Sequence, residues 1–264
     1  MSNNELKFGI QTDMSIFTDT MVEMTWVQVK ESAENGDIVL FPIGIVEEHG
    51  PHMDLSPDIY CAYLSCRFLK QKLKQKGINS IIAPPYYWGI SDDVKNYPGT
   101  FSVKPETFKA MLNDIFTSLN SWGFKYVFVL NAHGDPKHVD TMEQSIKIIN
   151  DNTEMQVYYM GNLDIEVDNP PTFPKQREGR FEPDFHAGAI ETAIMNTYYP
   201  SKVNKNLAKD LKPQDNYDPL GYCGDPASFH MEKTIIEFWE ADSEMDSLKI
   251  EAIVKRNIKS KRSI

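Results

Sequence analysis

Cysteine is scarce in this chain: Cys61, Cys66 and Cys223 are the only three among 264 residues. They are too few and too scattered for a disulfide framework, and none forms a CxxC pair, so a reducing cytoplasm is the expected location. No apolar run approaches the ~20 residues needed to span a bilayer, which argues against a membrane-spanning protein. Residues 1–5 (MSNNE) lack the basic start and apolar stretch of a signal peptide. GxGxxG and P-loop patterns are absent, so a nucleotide cofactor has no support. Positive charge is in deficit, with 27 Lys and Arg against 38 Asp and Glu and a formal net charge of −11. Such a surface repels a phosphate backbone, and nucleic acid is not an expected partner. There is no internal repeat, no low-complexity tract and no second-domain boundary. Residues 1–264 are therefore expected to form one domain.

What is there has the pattern of an α/β protein. Four apolar segments of strand length lie at 37–46, 80–83, 126–130 and 155–160. Their near-continuous hydrophobicity predicts burial on both faces, as in a mostly parallel sheet. Between them the apolar residues recur at helical spacing over 57–76, 105–122 and 137–150, with a charged helix expected at 242–262. This alternation predicts a three-layer α/β/α sandwich. The proline-rich stretch 162–183 reads as a long loop, a feature often functional in compact domains.

Chemistry concentrates at two predicted strand ends. Glu47-Glu48-His49-Gly50-Pro51-His52, with Asp58 after it, follows the first apolar run; Asn131-Ala132-His133-Gly134-Asp135 follows the third. Both mix imidazole with carboxylate, the donor set that divalent metals take. Gly50-Pro51 stops a helix, so the first motif is not a helical HExxH. Glu47 and His49 converge from i and i+2, and Asp58 can reach the same place from the next helix. Asp58 could instead simply complement a helix N-terminus. Asn131, His133 and Asp135 stand at a strand's carboxyl end, where open α/β sheets place their sites. His138 is expected on the surface of the following helix. A third group, Asp184-Phe185-His186-Ala187-Gly188 with Glu191-Thr192, offers His186 either as general acid/base or as a structural helix cap.

Taken in order, these elements resemble the creatininase (creatinine amidohydrolase) family. The similarity runs from about Pro42 to about Ala227. It comprises Pro42 to His52 with Asp58, Tyr97-Pro98-Gly99-Thr100, Asn131-Ala132-His133, His186 to Thr192, and Gly224-Asp225-Pro226. The resemblance implies a three-layer sandwich, commonly assembled as a homo-hexamer, with two divalent ions per subunit (zinc, manganese or iron). It implies Glu47, His49, Asp58 and His133 as metal ligands with Asp58 bridging, Asp135 where creatininase has a ligating glutamate, and His186 as catalytic base. The implied reaction is hydrolysis of a cyclic amide, formamide or related small ring by a metal-activated water. Hydrolysis of a C–C or ring bond in a cyclic polyol ketone, and a non-catalytic metal-stabilised assembly role, are the alternatives. The chain departs from the pattern at Glu48, usually glutamine, and at Val94. Gly134 and Glu182 also fail to supply the aromatic groups found around creatinine, so creatinine is expected to be a poor substrate.

Overall fold

A computed structural model describes residues 6–7, 10–174 and 183–261. A short antiparallel pair, β1 (Leu6–Lys7) and β2 (Ile10–Gln11), precedes helix α1 (Trp26–Glu34). The four expected strands follow as β3 (Ile38–Ile43), β4 (Ser80–Ile82), β5 (Tyr126–Asn131) and β6 (Gln156–Tyr159). They pair in parallel in the order β4-β3-β5-β6.

Every residue of β3 is buried, because both of its faces are covered. Val39, Phe41 and Ile43 join Val127 and Val129 on one face, packed against α3 (Pro105–Ser121) and α4 (Pro136–Asn152). Ile38, Leu40, Phe128 and Leu130 turn the other way, onto α2 (Pro57–Gln75) and α7 (Glu232–Lys261). That gives the three layers. A further apolar cluster joins Phe68 of α2, Tyr198 of α5 (Ala189–Tyr198) and Trp239 of α7, with α6 (Lys205–Asp210) at its edge. Pro57, Pro105 and Pro136 each begin a helix, where a missing N–H costs nothing.

Topology decides where a site can form. The loop after β3 leads to α2 on one face, and the loop after β5 leads to α4 on the other. The adjacent strands β3 and β5 thus send their connections apart, opening a crevice at their carboxyl ends.

Helix α7 begins at Glu232, ten residues before the expected start; Ile235 and Trp239 are its buried anchors, and the apolar Ile236 and Phe238 between them blur the helical face in the sequence. The expected end at Arg262 lies outside the described residues. Helix α1, also unforeseen, buries only Ser32 and Ala33, so its apolar periodicity is weak. Its reciprocal Thr25–Gln28 cap was nevertheless a readable start signal. Within α7, burial and the neighbouring carboxylate of Asp242 push Asp246 up to about 7, against the attraction of Lys249. The folded state then holds a proton that the unfolded chain releases near its ordinary 3.8. Between those values the folded state binds more protons, so stability should fall as pH rises from about 4 to about 7 and level off above. Asp246→Asn is expected to flatten that slope and raise Tm at pH 7.5; thermal melts of both proteins from pH 5 to 8 check it.

Candidate metal centre

The site is built where β3 and β5 end side by side. Ile43 lies opposite Asn131, and the Ala132 N–H donates to the Ile43 carbonyl at 3.1 Å, carrying the pairing one step beyond the strand. Asn131 then folds the chain back on itself: its Nδ2 donates to the His133 carbonyl at 2.6 Å. On the β3 side, Gly44 lets α2 start directly against the strand. A Cβ there would stand 2.7 Å from the Asp58 carbonyl carbon and 2.8 Å from the Ile59 nitrogen. These are backbone atoms that cannot swing aside. Gly44→Ala should therefore cost roughly 1–3 kcal/mol, an overpacking range, and displace Asp58. A lowered Tm together with weaker metal binding is the expected result.

Glu47, His49, Asp58, His133 and His186 are all buried and converge. His133 Nδ1 stands 3.1 Å from Glu47 Oε1 and 3.1 Å from Asp58 Oδ2. The other Asp58 oxygen is 3.3 Å from His49 Nε2, which also faces Glu191 Oε2 at 3.8 Å. His186 Nδ1 lies 3.7 Å from Glu47 Oε1, and its ring is centred 4.4 Å from that of His49. His186 is separate from the other motifs in sequence but shares their cavity in space. Asp58 presents one oxygen to each side, as a bridging carboxylate would.

The three imidazoles are oriented alike. His49 Nδ1 points at the Glu47 carbonyl (3.2 Å), His133 Nε2 at the Ile90 carbonyl (2.8 Å) and His186 Nε2 at the Glu48 carbonyl (2.9 Å). Each carbonyl is an acceptor, so that nitrogen carries the hydrogen and the other presents a bare lone pair. All three bare nitrogens face carboxylate oxygens. Lone pairs aimed at lone pairs call for a cation between them, and backbone-anchored imidazoles are how proteins hold metals. Glu47 Oε2, His49 Nε2 and Asp58 Oδ2 have no aligned hydrogen-bond partner, which fits the same need. Three groups have ligand atoms close enough to share an ion: Glu47–Asp58–His133, His49–Asp58–Glu191 and Glu47–His49–His186.

The electrostatics agree. Burial favours a neutral ring at His49, yet Glu191, Asp58 and Glu47 overcome it and hold the imidazole up to about 10. Asp58 and Glu47 likewise raise His133 well above its ordinary value against burial. For Asp58, burial opposes ionisation, but His133 and His49 outweigh it and keep the carboxyl below its usual range. This cavity draws positive charge, as protons or as metal.

The remaining predicted residues divide. Asp135 is buried but lies outside the three groups; its carboxylate caps α4, with Oδ1 accepting from the Lys137 and His138 N–H groups. His138 is fully buried, contrary to the surface position expected. It stacks on Phe108 at 4.5 Å, and its Nδ1 accepts from the Ile90 N–H at 3.2 Å. Because the Ile90 carbonyl anchors His133, His138 helps to set that ring. Its place in the first turn of α4, three residues after Asp135, was the one available hint. His52 is a packing residue bonded to Thr192 Oγ1 at 2.8 Å, and burial with its neighbours His49 and His186 lowers it to about 4. Glu48 sits beside His186 Nε2 at 3.3 Å and accepts the Gly50 N–H at 2.9 Å. Thr100 of the Tyr97-Pro98-Gly99-Thr100 element accepts the Glu48 N–H at 3.1 Å, which explains that motif's place in the site. Open space surrounds Gly134, while Glu182 lies outside the described residues. An aromatic group comes instead from Tyr217, whose ring is 5.7 Å from that of His186. Nothing in the sequence marked it, since it arrives on the late loop tied to His186 through Cys223.

A parallel α/β sandwich with buried carboxylates and imidazoles at its switch point is the architecture of a metal-dependent hydrolase. The family model described as creatinine amidohydrolase matches residues 22–238. Creatinine amidohydrolase of Pseudomonas putida is 25% identical over 253 residues, covering 88% of this chain and 92% of its own. A mycofactocin precursor peptide peptidase of Mycolicibacterium smegmatis is 27% identical over 206 residues, covering 72% of this chain and 75% of its own. A 3-dehydro-scyllo-inosose hydrolase of Thermotoga maritima is 26% identical over 201 residues, covering 72% and 60%. In structure the chain is similar to one described as "Creatininase Mn", with a TM-score of 0.65 and 18% identity over 91% of this chain and 98% of that one. A creatininase variant of "Zn-Zn type" superposes with a TM-score of 0.60 and 18% identity, covering 93% and 99%. The chain belongs to the creatininase family, and its hydrolase class and sandwich fold are as the sequence elements implied.

Proposed function

We propose that this protein hydrolyses an amide-type C–N bond in a small molecule, a cyclic amide or formamide, with two divalent cations and His186 as the proton carrier. One observation supports the reading above others: His49, His133 and His186 are each anchored to a backbone carbonyl and aim a bare nitrogen at carboxylates. Glu47, Asp58 and His133 would hold one ion, and His49 with Asp58 the other. Zinc, manganese and iron all accept this nitrogen and oxygen donor set. When bound, such ions polarise a carbonyl and lower the pKa of water toward neutrality.

The residues around the ions do the rest. Asp58 fixes the spacing of the two positions by facing both. Glu48 and its carbonyl hold His186 Nε2, leaving Nδ1 toward the cavity to take a proton and pass it to the leaving nitrogen. Tyr217 stands beside His186 as one wall of the substrate space. The acidic, buried site suits a small uncharged substrate. Assembly as a homo-hexamer and residence in the cytoplasm belong to the same reading and rest on the family resemblance and on the free cysteines; light scattering tests the first.

The experiment is metal analysis of the purified protein, then turnover with Zn²⁺, Mn²⁺ or Fe²⁺ against cyclic amides, formamides, short peptides and cyclic polyol ketones. Bound metal with C–N cleavage is expected. Cleavage confined to polyol ketones would replace the substrate class, and a protein that binds no divalent ion would remove the mechanism.

A further inference from the structure

We infer that the apolar groove between α1 and α3 is where a second copy of this chain docks; this rests on the homo-oligomer reading above and names the surface that holds the copies together. The helical layer on the α3–α4 face of the sheet is not closed. Between α1 and the end of α3 lies a groove of about 930 Å³ with Phe41, Tyr86 and Leu119 in its floor. Its rim carries Val22, Trp26 and Trp122, which are 52%, 76% and 51% exposed. Two tryptophans standing more than half in water beside an open apolar floor mark an interaction surface.

Helix α1 shows that this cover has to be permanent. The helix has 9 residues and buries only Ser32 and Ala33. So short a helix is marginal in water by itself and takes its stability from an apolar face packed on something else. Yet Trp26 and Val27, in its first turn, are both exposed. A passing partner would leave α1 and its tryptophan in water between encounters. A second copy is present wherever the chain is made, at a concentration the chain itself sets.

The patch also supplies both halves of a two-fold contact. A protruding indole and a groove that can receive one lie side by side, so a two-fold axis seats each copy's Trp26 against the other's groove and closes the contact. Charge points the same way. The chain carries −11 overall, which sets most of its faces against one another. Among the described residues lining the groove, Lys30 alone is charged. Lys30 Nζ and Glu34 Oε1 stand 3.7 Å apart, both well exposed, and Glu31 shares their helix. Each copy therefore brings an ammonium and carboxylates to the rim, and two copies turned end for end present opposite charges to each other.

The test uses the full chain as purified. Wild type, Trp26→Asp and Trp122→Asp are sedimented over a dilution series, with far-UV circular dichroism as the check on fold. Wild type should assemble. Each variant should keep its helix content while associating at least about 30-fold more weakly, the loss that follows removal of a tryptophan central to an interface. Hydroxyl-radical footprinting of the wild type needs no variant and decides the matter if one of them fails to fold. In the assembled protein Trp26 and Trp122 should be labelled no faster than the buried Trp239. Folded variants that assemble as tightly as wild type, or a Trp26 labelled like a free indole in assembled wild type, overturn the inference. The homo-oligomer reading would survive that result, with another face holding the copies. Wild type that stays monomeric at every concentration overturns both.

Discussion

Asp58→Asn is expected to empty both cation positions at once and abolish hydrolysis, whereas His133→Ala should cost only one ion. The difference follows from geometry. Asp58 places Oδ2 3.1 Å from His133 and Oδ1 3.3 Å from His49, so it serves two of the three metal-sized groups from opposite oxygens. An amide keeps the shape but loses the charge and one acceptor. The change should exceed the roughly 10–100-fold loss of metal affinity typical when a group that merely orients a ligand is removed. The metal-free variant should be less stable than metal-free wild type near neutral pH. Without metal, Asp58 is the carboxylate that faces both His49 and His133, and removing it leaves those buried imidazoles with less compensating charge. What should vanish is the rise in Tm that saturating Zn²⁺ or Mn²⁺ gives the wild type, since only binding to the folded state produces it. Metal counts and melts with and without added ion measure both. Two ions in Asp58→Asn would refute the bridging role.

His186→Ala should behave in the opposite way: metal retained, fold retained, turnover lost by roughly 10²–10⁴-fold, the range for a general acid/base. His186 is tied to the Glu48 carbonyl at 2.9 Å and faces Glu47 only at 3.7 Å, the longer of the two Glu47–imidazole approaches. It is therefore better placed to meet a substrate than to hold an ion with Glu47 and His133. The loss should fall on kcat with little change in KM, because the proton moves only in the transition state. His186→Asn should match it, as an amide carries no proton at neutral pH. A variant whose main defect is a missing ion would make His186 a ligand in the Glu47–His49–His186 group instead.

Much of this architecture was legible one residue at a time. The strands showed as continuous apolar runs because β3, β5 and their neighbours are buried on both faces, and the helix starts showed because Pro57, Pro105 and Pro136 stand at them. The front of α7 did not show, since Ile236 and Phe238 stand between the buried Ile235 and Trp239 and are apolar too, so no single helical face stands out. His138 was misplaced for a different reason. A lone histidine in a polar helical turn looks solvated until Phe108 and the Ile90 amide are folded over it.

The sequence alone determined which residue types meet at the two strand ends, because a parallel sheet delivers every loop that follows a strand to the same edge. Glu47, His49, Asp58 and His133 follow from that rule and from the chemistry of their side chains. Only the tertiary structure decided how each is used. Asp135 and Glu191 are both acids beside a histidine motif, and nothing in their local sequence separates them. One lies at a helix end whose free N–H groups take up its oxygens; the other is turned by Ala187, at φ +51°, toward an unsatisfied imidazole. A carboxylate's role depends on which donors reach it first, and that is settled by contacts between segments far apart in the chain.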